Sequence, residues 1–267
     1  MQWTLGATTR PWHTWTFAEA CQAIAEAGYR EVAVFSNAGK IPVTAESAPE
    51  EIEATAATAR AHGLVPSLLL GGPKLDMAWD AAIADHCRLI DAAAALGARW
   101  LLNGGTENPA QYEAYQTIMR ETAPYAAEKG VTIVLKPHGG IGLTGRDLAR
   151  VVERVGSPAF RICYDPGNIL YYTQGKVRPE TDVSDVAEHV AVGIIKDCIV
   201  REGQPDVWIL PGEGWVDFPR VLGLLHRAGF AGPLYVECLG GSEWDDIKAR
   251  ARRTREWIEG IVEALEP

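Results

Sequence analysis

Three apolar segments of this chain end in charged residues that could act together. Val131-Thr-Ile-Val-Leu-Lys136 runs into Pro-His138-Gly-Gly140. Arg161-Ile-Cys-Tyr-Asp165 runs into Pro-Gly-Asn168, and Pro233-Leu-Tyr-Val-Glu237 runs into Cys238. The trio offers one amine and two acids. Glu237 is a candidate base for removing a proton beside a carbonyl, and the Lys136 ammonium could donate a hydrogen bond to the oxyanion that forms. Imine formation at Lys136 is a further option. It is disfavoured because two neighbouring carboxylates should keep the amine protonated. The alternative to any such chemistry is a structural ion pair.

The elements that must position these residues alternate along the chain. Short runs rich in Val, Ile and Leu, bounded by Gly, Pro or Asn, predict buried parallel strands over Trp3–Ala7, Glu31–Phe35, Pro66–Leu70, Trp100–Asn103, Val131–Lys136, Arg161–Asp165, Val192–Lys196 and Leu234–Cys238. Amphipathic stretches predict helices over Phe17–Ala27, Pro49–Ala61, Trp79–Leu96, Pro109–Lys129, Thr144–Val155, Asp182–His189, Phe218–Ala228 and Ser242–Leu265. Most of them stop at a glycine, as helix C-caps do. Eight such units in 267 residues predict a single α/β domain over 1–267, a closed (β/α)8 TIM barrel. An open doubly wound sheet fits less well, because no Gly-x-Gly-x-x-Gly follows the first strand.

Composition narrows the class. A net charge of -10 argues against nucleic acid as the main partner, which would need a basic face. No run of about 18 apolar residues is present to span a membrane. Five scattered cysteines without a CxxC spacing suit reduced thiols, so a cytoplasmic location is expected. The opening Met1-Gln-Trp-Thr-Leu-Gly6 lacks the pattern of a signal peptide.

Several motifs then follow one another in register: the fifth strand, Asp165-Pro-Gly-Asn168, Ile195-Lys-Asp197, Leu210-Pro-Gly-Glu-Gly214, an acid at Asp217, Ala228-Gly-Phe230 and Gly232-Pro-Leu-Tyr-Val-Glu237. Together with Glu19-Ala-Cys-Gln-Ala-Ile-Ala-Glu-Ala-Gly28 they resemble the xylose-isomerase-like barrel superfamily of sugar and sugar-phosphate isomerases and epimerases. The resemblance covers nearly the whole chain. It implies proton transfer beside a carbonyl and one divalent metal, Mn or Mg, held by Glu, Asp, His and Glu on strands five to eight. Mapped here, those places hold Lys136, Asp165, Ile194 and Glu237, and Asn168 stands where a helper His would be. Charged lysine and isoleucine offer a metal no lone pair, and two carboxylates alone rarely suffice. No cofactor is therefore expected; if a metal binds, Asp165 and Glu237 hold it. Two carboxylates and one ammonium carry the same net charge as three carboxylates and a divalent ion. The expectation is that the Lys136 ammonium takes the metal's place, bridging Asp165 and Glu237.

Around this centre His138, Asn168, Lys196, Trp12, Trp15, His13 and Glu107 are candidates for binding a sugar-like substrate. Some have a plainer reading: a loop cap for His138, core packing for the tryptophans, a turn residue for Glu107. Asp197 is expected to fix its loop. Two functions stay open, an isomerase or epimerase that works without metal and a non-catalytic ligand-binding or partner subunit. A nuclease would need many His and acidic ligands and a basic groove, and neither is evident. A homo-oligomer is left open by the apolar helix faces.

Overall fold

The computed structural model describes residues 3–265. Met1, Gln2, Glu266 and Pro267, the ends of the expected 1–267 domain, lie outside the described residues. Eight parallel strands close into a barrel: β1 Leu5–Thr8, β2 Glu31–Val34, β3 Val65–Leu70, β4 Trp100–Asn103, β5 Thr132–Leu135, β6 Phe160–Tyr164, β7 Val190–Ile195 and, after a separate hairpin, β10 Leu234–Val236. The hairpin strands are β8 Ile199–Arg201 and β9 Gln204–Asp206, paired antiparallel. Around the barrel the order is β1-β10-β7-β6-β5-β4-β3-β2, which is chain order once the hairpin is set aside.

Helices cover the outside: α1 Phe17–Glu26, α2 Pro49–Ala61, α3 Trp79–Leu96, α4 Tyr112–Glu128, α5 Gly145–Val155, α6 Pro166–Tyr172, α7 Pro179–Asp182, α8 Phe218–Arg227 and α9 Trp244–Leu265. Local chemistry sets their ends. Thr16 and Thr144 begin α1 and α5 with reciprocal capping boxes to Glu19 and Asp147. Gly97 and Gly156 end α3 and α5 in the left-handed conformation, at φ 90° and 66°. No helix is long and apolar enough to cross a membrane among the described residues.

The core has two parts. Between barrel and helices lies a continuous apolar shell that includes Ile24, Leu69, Leu101, Ile133, Leu148 and Val221. Inside the barrel a smaller cluster of Ala33, Phe35, Leu68, Leu102, Val134, Cys163, Val192, Ile194 and Tyr235 fills the lumen. Burying each large aliphatic side chain contributes roughly 1.5–3 kcal/mol. The filled lumen also gives the mouth above it a rigid floor.

Two expectations change. The predicted sixth helix at Asp182–His189 resolves into α7, ending at Asp182, and two 3-10 turns, Val183–Asp185 and Ala187–His189. The principal helix of that crossover is α6, which begins directly after β6. Asp165 caps it by accepting a hydrogen bond from the Asn168 N–H at 2.9 Å, and Pro166 takes the first position, where no N–H is needed. The hairpin was not foreseen; it turns at Glu202 and Gly203, with φ 51° and 77°.

Candidate functional site

Four neighbouring barrel strands each place one charged residue immediately past their last position. Lys136 follows β5, Asp165 follows β6, Lys196 follows β7 and Glu237 follows β10. Side chains alternate along a strand, so each sits one step above an inward-facing neighbour: Val134, Cys163, Ile194 and Tyr235, all in the lumen. The charges alternate around this arc, as cation, anion, cation, anion.

The four side chains form a closed ring of ion pairs. Lys136 Nζ donates to Glu237 Oε2 at 2.5 Å and lies 3.2 Å from Asp165 Oδ2. Lys196 Nζ lies 2.8 Å from both Asp165 Oδ2 and Glu237 Oε1. All four residues are at most 6% exposed. Asp165 Oδ2 sits within ion-pair distance of both ammoniums, yet neither meets it at a hydrogen-bonding angle. A third cation, Arg10, follows β1 and brings its Nε to 3.8 Å from Glu237 Oε1. The expected bridge from Lys136 to both acids is present, and the charge count changes. Lys196 bridges the same two acids, so two ammoniums balance two carboxylates before Arg10 is added.

The ring shapes the protonation of its members. Burial raises the Glu237 carboxyl pKa, but Lys136 and Lys196 outweigh it and hold the group well below the usual carboxylate range. Burial lowers the Lys196 pKa, but Asp165 and Glu237 outweigh it and hold the amine above the usual lysine range. Glu237 is thereby a poor proton acceptor as it stands. His138 differs: burial, then Lys136 and Lys196, push its imidazole pKa down, so it is neutral at pH 7.

Above the ring opens a cavity of about 480 Å³. Lys136, Lys196, Glu237, Asn168 and Asn103 line its depth; His138, Tyr172, Arg10 and Trp208 are among the residues around them. Asp165 lies beneath the lysines and does not line it. His138 Nε2 is 2.8 Å from the Tyr172 hydroxyl. A cavity of about 550 Å³ lies at the other end of the barrel, against Trp3, Glu31 and Arg255. That is the face of strand N-termini, where barrel residues serve stability.

The expected binding residues divide. His138, Asn168 and Lys196 meet in the mouth cavity. Asn168 also ties the loop after β5, its Nδ2 donating to Pro137 O at 2.7 Å. Trp12 does not join them: it is wholly buried in the apolar shell. Trp15 packs edge-on against Trp244, at 5.4 Å between ring centres. The first mouth loop turns through a 3-10 segment, Arg10–Trp12, which sends Trp12 inward and leaves Arg10 at the mouth. His13 is exposed and meets the Trp208 ring at 5.8 Å, outside the cavity lining. Glu107 is exposed at the rim, 3.8 Å from His138 Nδ1. Ile194, mapped to the strand-seven ligand place, lies one layer too deep; Lys196 is the residue of that strand that reaches the acids.

Sequence reasoning missed Arg10, Asn103, Tyr172 and Trp208. Asn103 carried a signal, because it ends a strand as Lys136 does. Trp208 sits past the unforeseen hairpin and had none. Its ring lies under the Arg10 guanidinium at 5.5 Å.

Asp197 holds the loop that carries Trp208. Its wholly buried carboxylate accepts four backbone N–H groups, from Cys198, Gly212, Gly214 and Val216, at 2.8–3.0 Å. A side chain on Gly214 would come within 2.3 Å of that carboxylate. In Asp197→Asn an NH2 group must face some of these donors. Leaving two such N–H groups unpaired costs about 2–6 kcal/mol. A thermal melt should show a drop of roughly 4–24 °C at 2–4 °C per kcal/mol; an unchanged melt would mean that the loop does not depend on Asp197.

Among the described residues no group of three or more His, Cys, Asp or Glu is placed to hold a metal ion. A xylose isomerase-like TIM barrel protein from Mycobacterium smegmatis, solved in complex with magnesium, superposes with a TM-score of 0.81 at 17% identity, over 100% of this chain and 98% of that one. A D-allulose 3-epimerase from Methylomonas sp. gives a TM-score of 0.75 at 18% identity, over 97% and 98%. At such identities the likeness is one of fold. In sequence, an inosose dehydratase of Geobacillus thermodenitrificans (strain NG80-2) is 27% identical over 125 residues, 42% of this chain and 42% of that protein. The chain thus spans less than half the length of the curated relatives it matches. The model of the family described as xylose isomerase-like TIM barrel matches residues 21–261, and with the closed parallel barrel this makes the chain a member of that family.

Proposed function

We propose that this protein is an enzyme that moves a proton beside the carbonyl of a small sugar-like compound, without a metal. The observation that carries the reading is the convergence of two ammoniums on one carboxylate pair at the floor of the mouth cavity. A divalent ion does not fit there. Lys136 and Lys196 fill the space between Asp165 and Glu237, and charged amines present no lone pair. In this reading the family metal site has been exchanged for ammonium groups.

An enediolate needs positive charge near its oxygens as it forms. Lys136 and Lys196 both line the cavity and supply fixed donors in a site shielded from water. Both acids of the ring are occupied, which removes Glu237 from the role of free base. His138 fits that role better, being neutral at pH 7, in the cavity and held by the Tyr172 hydroxyl. The epimerase neighbours in structure and the inosose dehydratases in sequence support a small polyhydroxylated ligand.

The occupied acids also favour a second reading, a member that binds such a ligand and does no chemistry. Chelator-treated protein in deuterium oxide separates the two, with ketoses as substrates and mass spectrometry as the readout. Uptake of deuterium beside the carbonyl is expected without metal. The rate should fall at least ~100-fold in His138→Gln, the lower end for a lost acid–base group. Uptake that requires added manganese sinks the metal-free reading. No uptake from sugars that demonstrably bind leaves the binding protein.

A further inference from the structure

We infer that the ligand of the mouth cavity bears an anionic group, a carboxylate or a phosphate, and is not a neutral sugar. The inference rests on this cavity being the ligand site, as proposed above, and is independent of whether proton transfer occurs there.

The argument is an account of donors and acceptors. The carboxylate acceptors of the floor are engaged by the cations or covered by them. Glu237 Oε2 takes Lys136, and Oε1 takes Lys196 with Arg10 at 3.8 Å. Asp165 Oδ1 takes the Asn168 N–H, and its Oδ2 lies beneath both lysines. Donors remain. Each ammonium has three N–H groups and contacts two carboxylates, which leaves at least one for the cavity that both lysines line.

Asn103 holds an unpaired donor beside the cavity. Its Oδ1 accepts from the Tyr115 hydroxyl at 2.7 Å and the Gly105 N–H at 3.0 Å, and this fixes the amide with Nδ2 on the other side. That Nδ2 is buried without a partner, on a residue only 4% exposed that lines the cavity. A buried donor left unpaired costs about 1–3 kcal/mol, which an acceptor on the ligand would recover. Arg10 supplies the largest surplus. Its guanidinium lies over Trp208 with 44% of the side chain exposed, and among the described residues its one carboxylate contact is the long one to Glu237.

A neutral sugar brings hydroxyls, which donate as well as accept and would find few acceptors here. A carboxylate or phosphate only accepts, and it compensates the third cation. A further acid in the lining, Asp206, stands in the hairpin and accepts the Trp208 N–H at 2.8 Å. It is separate from the floor where the donors gather.

Calorimetric titration of the intact protein at low salt tests this with D-fructose, D-fructuronate and D-fructose 6-phosphate, and with D-ribulose and D-ribulose 5-phosphate. At least one anionic sugar should bind about tenfold or more tighter than its neutral counterpart, as charge-assisted hydrogen bonds imply. Whether the carboxylate or the phosphate wins identifies the source of the charge. Arg10→Gln should erase that advantage by weakening the anionic sugar far more than its neutral counterpart. Equal affinity for neutral and anionic sugars overturns the inference and leaves the cavity as a sugar site. An advantage that survives Arg10→Gln overturns the assignment to Arg10. Absence of binding by all five compounds overturns the anionic ligand and the sugar site together.

Discussion

Lys136→Met is expected to destabilise the protein by about 3–5 kcal/mol, the usual cost of removing one partner from a buried ion pair. Methionine nearly matches the lysine stem in volume, so packing loss is a minor part. The larger part is the charge left behind. Glu237 and Asp165 are 2% and 0% exposed, and only Lys196 would remain to bridge them. For a chain of this size 1 kcal/mol moves the melting temperature by about 2–4 °C, which gives a drop of roughly 6–20 °C. Lys136→Arg should not restore it. A planar guanidinium is longer than an ammonium and matches one carboxylate side-on, not two converging ones.

The pH dependence separates charge from packing. The folded Glu237 pKa lies below its unfolded value of about 4.3, because Lys136 and Lys196 outweigh the effect of burial. Its contribution is therefore present above about pH 4.3 and is lost as pH falls through the folded value. The Lys196 pKa is raised by Asp165 and Glu237 against the effect of burial. Its contribution is complete below the unfolded value of about 10.4 and is lost as pH rises through the folded one. The native ring should be fully effective between about pH 5 and 10. In Lys136→Met the carboxylates have lost a cation, so the Glu237 pKa must climb. The deficit relative to the native protein should be greatest near neutrality and shrink towards pH 4, where the surplus charge is neutralised. A deficit that stays flat from pH 4 to 8 would assign the effect to packing.

The barrel was legible because eight strand-length apolar runs alternate with helices that end in glycine, a pattern that leaves few architectures. The ring was legible in part. Lys136, Asp165 and Glu237 end their strands, and the period of two points them into the lumen together. Lys196 also ended a predicted strand, but its place in the ring was hidden. Taking Ile194 as the equivalent of the family histidine put the site one layer too deep on that strand; the register of β7 on β10, which pairs Ile195 with Val236 and so sets Lys196 level with Glu237, gives the height. Trp12 is a candidate for binding in the sequence because it falls in a mouth loop, and the turn at Arg10–Trp12 reverses which residue faces the mouth. The aromatic that does line it, Trp208, depends on a hairpin of two three-residue strands, too short for any periodic signal.

The double substitution Lys136→Glu with Lys196→His is expected to create a divalent-metal site where the native protein has an ion-pair ring. It places an acid after β5 and an imidazole after β7, between the retained Asp165 and Glu237. The family resemblance implies the same ligand types on those strands. Four potential ligands then face one point, enough for a transition metal. Removing both ammoniums without a metal leaves three carboxylates packed together, so the apo variant should be less stable than the native protein. Manganese should restore it, since a ligand that binds only the folded state stabilises it. Equilibrium dialysis should retain about one manganese per chain of the double variant and none on the native protein. Lys196→His alone keeps the Lys136 ammonium between the acids and should retain little. Manganese bound equally by the native chain would show that the lysines can swing aside, and the ammonium-for-metal reading would fall. Binding by the double variant alone would show that two side chains decide whether this barrel mouth holds a metal or an ion-pair ring.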